Sequence, residues 1–183
     1  PLFRSRDKAG LVARNTNITV QNVYADAAYA AAHSVAEGSL VSSPSIYHNI
    51  YGGGAHGSVG TFTYDGTSGM PTALATANTG KATINITGGE IGIDGHENGM
   101  IFGSSRGDID RPNTIYDKVA WVNDTEVNIG TENDETAGPT IHGSLYGSGE
   151  NGHTLRNASV TMHSGTVGNP AEHYQYRGNV YGG

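Results

Sequence analysis

The sequence predicts an all-β fold, a parallel β-helix (β-solenoid) with loop insertions, because two motifs alternate along the chain. The first motif is an aliphatic residue, an aromatic residue and a glycine followed by small residues. Its four copies span residues 49–54, 100–105, 144–149 and 179–183. The second motif is a strand-like run that ends in small residues and glycine, and residues 82–92 and 158–168 carry it. Two motifs that recur in alternation indicate a repeat architecture.

The spacing of the motifs supports this prediction. The aromatic positions Tyr51, Phe102, Tyr146 and Tyr181 fall 51, 44 and 35 residues apart. The second-motif positions Ile86, Ile129 and Met162 fall 43 and 33 residues apart. The two series shorten together, so each repeat is expected to keep both strands and to vary only its loops. The long inserts at 65–79 and 108–116 would then project from a constant frame.

Side-chain alternation predicts which residues face the interior. Ile84 and Ile86 share one face of a strand, since neighbouring side chains on a strand point to opposite sides. Val127 with Ile129, and Val160 with Met162, repeat this arrangement. If successive repeats stack about 4.8 Å apart, these pairs form an aliphatic stripe and the aromatic positions form a ladder. The glycine after each aromatic residue would permit a sharp corner, with positive φ where needed.

The N-terminal part has a different sequence pattern from the repeats. Residues 17–23 alternate apolar and polar side chains, as a half-buried strand does. The alanine-rich run 24–37 predicts a short helix, with Gly38 at the position of a C-terminal cap. Residues 1–45 are therefore predicted to be an N-terminal coil or cap region and residues 46–183 the repeats. The chain starts without Met and stops inside a motif copy, so a fragment of a longer solenoid is expected.

A β-sandwich is the alternative fold. It accounts for short strands and many turns, but it does not require the same motif pair in every repeat.

The alternation of strand-Gly-Gly-x-Ile with aliphatic-Tyr-Gly-Gly-Gly over residues 46–183 resembles the glycine-rich β-helical repeats of surface and secreted proteins of Bacteroidota. Those repeats are themselves similar to pectin-lyase-like and autotransporter-type adhesins. The resemblance implies a right-handed parallel β-helix on a bacterial cell surface or in the extracellular medium, acting in adhesion or as a structural stalk. It carries no catalytic residue to this chain.

Composition excludes several classes of function. The net charge is −7 and only ten residues are basic, whereas a nucleic-acid surface needs clustered Lys and Arg. There is no cysteine for a disulfide or a thiol site. No apolar run approaches the roughly 20 residues of a membrane-spanning helix. No cofactor is therefore expected, apart from the calcium ion considered next.

Asp94 and Glu97 are the candidate metal ligands. They belong to the glycine-flanked run 94–99, whose oxygen-bearing side chains would suit calcium. The spacing fits neither an EF-hand nor a calcium-binding nonapeptide, and a solvated turn is the other interpretation. The eight histidines form no zinc-binding pattern.

Asp108, Asp110 and Arg111 are the most enzyme-like group. Paired carboxylates could divide the acid and base roles of glycoside cleavage. Two aspartates in a turn before proline are also ordinary loop chemistry.

Exposed tyrosines are the preferred ligand-binding candidates, because flat aromatic rings stack on sugars or anchor a protein partner. They are Tyr47, Tyr64, Tyr116, Tyr174 and Tyr176. The alternative is that several of them simply cover the edge of the core.

The sequence thus predicts a non-enzymatic surface or secreted repeat protein, an adhesin or stalk that binds a glycan or a host protein through its loops. A carbohydrate-active β-helix enzyme, either a polysaccharide lyase or a hydrolase, is the first alternative. A self-assembling extracellular fibre is the second, with neighbouring repeats or other copies meeting at open coil ends.

Overall fold

The computed structural model describes residues 10–107, 119–134, 138–171, 175 and 177–183, and these form eighteen short strands and one helix. In chain order the elements are β1 (Thr16–Val20), β2 (Val23–Tyr24), α1 (Ala27–His33), β3 (Leu40–Ser42), β4 (Ser45–Ile46), β5 (Ile50–Tyr51), β6 (Phe62–Tyr64), β7 (Pro71–Leu74), β8 (Lys81–Ile86), β9 (Glu90–Ile91), β10 (Ile101–Phe102), β11 (Trp121–Val122), β12 (Asp124–Ile129), β13 (Thr140–Ile141), β14 (Leu145–Tyr146), β15 (His153–Thr154), β16 (Ala158–Met162), β17 (Thr166–Val167) and β18 (Val180–Tyr181).

The strands of the described residues lie in six separate sheets. Three sheets have four strands and are parallel throughout, in the orders β1-β8-β12-β16, β4-β9-β13-β17 and β5-β10-β14-β18. A two-stranded parallel sheet joins β11 to β15. The pairs β2–β3 and β6–β7 are antiparallel. Every four-stranded sheet takes one strand from each successive repeat.

This arrangement corrects the predicted fold class, a right-handed parallel β-helix. The structure has short strands divided among several small separate sheets, with one helix. Many strands span only two residues, because a glycine or a bend follows directly and ends the ladder. Two segments between the parallel strands, 23–42 and 62–74, pair with themselves as antiparallel hairpins instead of extending the parallel sheets. The β-sandwich alternative also differs from the structure, since the four-stranded sheets are parallel whereas sandwich sheets are antiparallel.

The register between repeats follows the motifs. Ile84 lies opposite Ile18 on one side and Val127 on the other, and Val127 lies opposite Val160. Ile84, Ile86, Val127 and Ile129 are fully buried, as their alternation predicted. The three four-stranded sheets enclose one continuous aliphatic core, formed by Val20, Ile50, Ile84, Ile86, Ile91, Ile101, Val127, Ile129, Ile141 and Leu145.

A smaller apolar cluster lies beside this core. Val59 and Val122 are fully buried and form a parallel bridge, and Val12 bridges to Val59 from the other side. Ala82 completes the cluster. The indole ring of Trp121 stacks on the imidazole of His153 in the next repeat, with ring centroids 4.5 Å apart.

The aromatic positions of the first motif form one column, which we call the aromatic stack. It consists of Tyr51, Phe102, Tyr146 and Tyr181. Successive ring centroids are 5.1, 4.8 and 4.8 Å apart, and the planes differ by no more than 14°. The predicted aromatic ladder is confirmed.

The helix is shorter than the range predicted for it. It begins after Asp26, whose Oδ1 accepts a hydrogen bond of 2.8 Å from the backbone N–H of Tyr29, the usual N-cap contact. It ends at His33, and the C-cap residue Ser34 adopts the left-handed conformation with φ 57°. Gly38, the expected cap, lies beyond this point. No helix among the described residues is long and apolar enough to cross a membrane.

Candidate ligand-binding groove

One groove of about 490 Å³ runs beside the aromatic stack. Its lining comes from four successive repeats, because parallel pairing brings equivalent segments side by side. The residues that line it are Asn49, Glu97, Met100, Phe102, Tyr146, Gly149, Glu150 and Arg177. The volume lies within the roughly 300–1,000 Å³ of small-molecule sites.

Glu150 is the centre of a polar network at the groove. It lies in the loop after β14 and accepts a hydrogen bond of 2.7 Å on its Oε2 from the Tyr51 hydroxyl. The guanidinium Nε of Arg106 lies 3.4 Å from the same oxygen. Asn49 donates to the Tyr51 hydroxyl oxygen from its Nδ2 at 3.3 Å. The loop carboxylate is therefore held by Tyr51 in β5 and by Arg106, which follows β10.

Hydrogen bonds to the backbone hold Asn49 and Met100 in place at the groove. The Oδ1 of Asn49 accepts a hydrogen bond of 2.9 Å from the backbone N–H of Met100. The sulfur of Met100 accepts a bond of 3.2 Å from the backbone N–H of Ser144. The hydroxyl of Ser144 accepts one of 3.0 Å from the N–H of Asn179. All four residues directly precede the first-motif strand of their repeat, so this series of hydrogen bonds recurs from one repeat to the next.

The two tyrosine hydroxyls of the stack beside the groove stay protonated at neutral pH. Burial raises the pKa of Tyr51 above its ordinary value, and the neighbouring carboxylate of Glu150 raises it further. Burial also raises the pKa of Tyr146, with a smaller contribution from Tyr181. The Tyr51 hydroxyl is engaged by Glu150 and Asn49, whereas Tyr146 lines the groove.

Charges of both signs border the groove. Arg177 lies just before β18 and is only 8% exposed, which is unusual for arginine. Glu97 reaches the groove from the loop between β9 and β10 and is exposed. With Glu150 and its partner Arg106, the groove has two carboxylates and two guanidinium groups at its edge.

Of the tyrosines chosen from the sequence, the two that the structure describes, Tyr47 and Tyr64, are not among the residues that line this groove. Tyr47 is 63% exposed, and Tyr64 lies in the β6–β7 hairpin and is 41% exposed. Tyr116, Tyr174 and Tyr176 lie outside the described residues, as do Asp108, Asp110 and Arg111. The binding role of these tyrosines stays a prediction.

The structure gives Asp94 and Glu97 different surroundings. The Oδ1 of Asp94 accepts a hydrogen bond of 3.3 Å from Asn169 and lies 3.8 Å from Nδ1 of His142. The Nε2 of His142 lies 2.8 Å from Oε1 of Glu90. Glu97 instead borders the groove. No group of three or more His, Asp or Glu side chains that could hold a metal ion occurs in the part of the chain that the structure describes. Calcium binding stays a prediction.

Sequence reasoning missed the groove residues Arg177, Glu150 and Asn49. One signal was present: Asn49, Met100, Ser144 and Asn179 all precede the aliphatic residue of the first motif. Once the repeats are aligned, these positions must form a column. The loop residues Glu150 and Arg177 have no such signal, because their loops differ in length.

Comparison with protein-family models, with curated proteins and with solved structures finds no match for this chain.

Proposed function

We propose that the protein is a non-enzymatic repeat protein of a bacterial surface or the extracellular medium, and that it acts by binding a glycan or a host protein. The observation that carries this proposal is the convergence of side chains from four repeats on one groove. The resemblance of the motifs to glycine-rich repeats of Bacteroidota surface proteins supports the location and the adhesive role.

The construction of the frame also supports a binding role. The aliphatic core and the aromatic stack run through all four repeats without interruption. Such a frame holds its loops at fixed separations, and binding residues are commonly placed on loops that a rigid scaffold positions. Polar groups around the groove are fixed by hydrogen bonds before any ligand arrives, which lowers the entropic cost of binding.

The proposal is tested by screening the purified protein against an array of glycans and against a panel of host matrix proteins. We expect saturable binding to at least one member, with a dissociation constant that biolayer interferometry can measure. Absence of binding to every glycan and every protein would contradict the adhesive role.

Two matched measurements separate binding from catalysis. Incubation of the bound glycan with the protein is expected to leave its length unchanged by mass spectrometry. Shortening of the glycan that is abolished by alanine at Asp108, Asp110 and Arg111 would favour the enzymatic hypothesis instead.

The fibre hypothesis stays a prediction, which sedimentation at increasing protein concentration addresses.

A further inference from the structure

We propose that the groove beside the aromatic stack binds an uncharged oligosaccharide, with Glu97, Glu150 and Arg177 as its charged contacts. This inference rests on the proposed function, and it names the ligand class and the residues that recognise it.

The polar groups of the groove match the hydroxyl groups of a sugar. The carboxylates of Glu97 and Glu150 accept hydrogen bonds, while the guanidinium of Arg177 donates them. The Tyr146 hydroxyl can do either. A sugar ring presents several hydroxyl groups that both donate and accept, so it can satisfy both the donors and the acceptors that line the groove. Hydrogen bonds that involve a charged group are about twice as strong as neutral ones.

The apolar part of the groove offers ring edges and not ring faces. In the aromatic stack each inner ring is covered on both faces by its neighbours at about 5 Å. A ligand beside Phe102 and Tyr146 therefore meets the edges of the rings, which carry partial positive charge. Positive edges attract hydroxyl oxygens, whereas flat stacking of a nucleobase or an aromatic ligand has no free face in this groove.

The charged side chains of the groove favour neutral sugars over acidic ones. Glu97 and Glu150 offset Arg177 and Arg106, and Arg106 already faces the carboxylate of Glu150. A uronic acid bound by Arg177 would share the groove with the carboxylates of Glu97 and Glu150, and like charges disfavour binding. The groove is thus suited to a ligand without net charge.

Gly149 shapes the rim of the groove in the same loop as Glu150. A Cβ built on Gly149 would lie 2.4 Å from the backbone oxygen of Ser105, so a larger residue could not hold this loop in place. The close approach of the two backbones brings the Glu150 carboxylate to the aromatic stack.

The experiment is isothermal titration calorimetry of the whole chain with two sets of probes. One set is neutral di- to tetrasaccharides, and the other is uronate oligosaccharides of the same lengths. The test variants are Glu97→Gln, Glu150→Gln and Tyr146→Phe, which keep side-chain shape and leave the stack intact. Glu132→Gln is the matched control, because Glu132 is exposed and does not line the groove. Circular dichroism verifies that each variant is folded.

We expect a neutral oligosaccharide to bind the native protein. Glu97→Gln and Glu150→Gln should each weaken that binding by about tenfold or more, the usual effect of losing a charged hydrogen bond. Tyr146→Phe should weaken it less, and Glu132→Gln should leave it unchanged.

Four results would overturn the inference, and they bear differently on the proposed function. Binding of a glycan with undiminished affinity by the groove variants would place the site elsewhere and leave the adhesive role intact. Preference for uronates would contradict the uncharged ligand class. Binding of a host protein but of no glycan would refute the groove inference alone, while binding of nothing would refute both.

Discussion

At the residue scale, the glycine after each of the first three aromatic residues of the stack is required by close packing between repeats. A Cβ built on Gly103 would lie 2.2 Å from the backbone oxygen of Gly147, and one on Gly52 would lie 2.1 Å from that of Gly103. Neither glycine has positive φ. The expectation that these glycines permit the corner is therefore refined: they are needed for lack of space, because the backbone of the next repeat occupies the position of a side chain.

Replacing Gly103 with alanine should destabilise the protein strongly. The added methyl group collides with backbone that cannot move without separating two repeats, so we expect a loss of about 1–3 kcal/mol or more in the free energy of unfolding. Gly66→Ala is the matched control, since its Cβ would meet nothing within 4 Å. Urea denaturation of both variants measures the difference. Equal stability of the two would show that the repeats do not pack this closely in solution.

At the element scale, the sheet β1-β8-β12-β16 buries its inner strands and leaves its last described strand more exposed. In the column of the second motif, Ile86 and Ile129 are fully buried, whereas Met162 in β16 is 42% exposed. The residues share one register, so the difference arises from the number of neighbouring strands and not from residue type.

The loss of stability on truncating a side chain in this column should therefore depend on the position of its strand in the sheet. Ile129→Ala should lower the free energy of unfolding by about 2–5 kcal/mol, as for other large-to-small changes in a packed core. Met162→Ala should lower it by less than about 1 kcal/mol, because exposed sites contribute little. Guanidinium denaturation compares the two. A similar loss for both would mean that a further layer covers β16.

The outer face of the same sheet carries a polar ladder. The Nδ2 of Asn128 donates to Oδ1 of Asn85 at 2.9 Å and to Oε1 of Glu126 at 2.8 Å. Lys81 forms a salt bridge with Glu126 across β8 and β12. These contacts, first the one with Lys81 and then the one with Asn128, lower the pKa of Glu126 below its ordinary value of 4.5.

This shift has a defined effect on the pH dependence of stability. A carboxyl group with a lowered pKa in the folded state stabilises the fold above its ordinary pKa, and the contribution is lost as pH falls through the folded value. About a third of the Glu126 side chain is exposed, so we expect a contribution below about 1 kcal/mol. The difference in unfolding free energy between the native protein and Glu126→Gln, measured from pH 7 to pH 3, should shrink below pH 4.5.

The native protein has to be compared with Glu126→Gln at each pH, because the pKa of a second carboxyl group is also lowered by folding. Hydrogen bonds from Ser68 and then Thr67 lower the pKa of Asp65, which lies outside this ladder. Its effect is common to both proteins and cancels. A difference that does not change with pH would contradict the role assigned to Lys81.

At the scale of the whole molecule, one aliphatic core connects all the repeats, but the side chains at its two ends differ in how exposed they are. Val20 and Ile50 in the first strands are 7% and 6% exposed, while Val180 and Tyr181 in β18 are 52% and 41% exposed. Repeats that contact only their neighbours have local stabilities that depend on how many neighbours they have.

Hydrogen exchange should reveal this difference in local stability between the inner strands and the last ones. Backbone amides of β8, β10, β12 and β14 are expected to exchange slowest, because each of these strands has a partner on both sides. Amides of β16, β17 and β18 should exchange faster. Peptide-resolved mass spectrometry measures both groups in one experiment. Uniform protection would show that the last described strands are held as firmly as the inner ones.

The sequence by itself determined the repeat, the register and the interior stripe. The pairing of Ile84 with Val127, and the column of Tyr51, Phe102, Tyr146 and Tyr181, follow from motif spacing, since parallel strands with identical patterns align identical positions. Local patterns carry this information because alternation along a strand depends only on neighbouring residues.

Only the tertiary structure decided the division into separate sheets and the position of the groove. The sequence predicted one right-handed parallel β-helix, but where a ladder of two residues ends depends on the corner that follows it and on inserts that pair with themselves. Glu97, Glu150 and Arg177 lie in loops of unequal length, from different repeats. Their convergence depends on how far each loop folds back over the stack, and no local pattern encodes that distance.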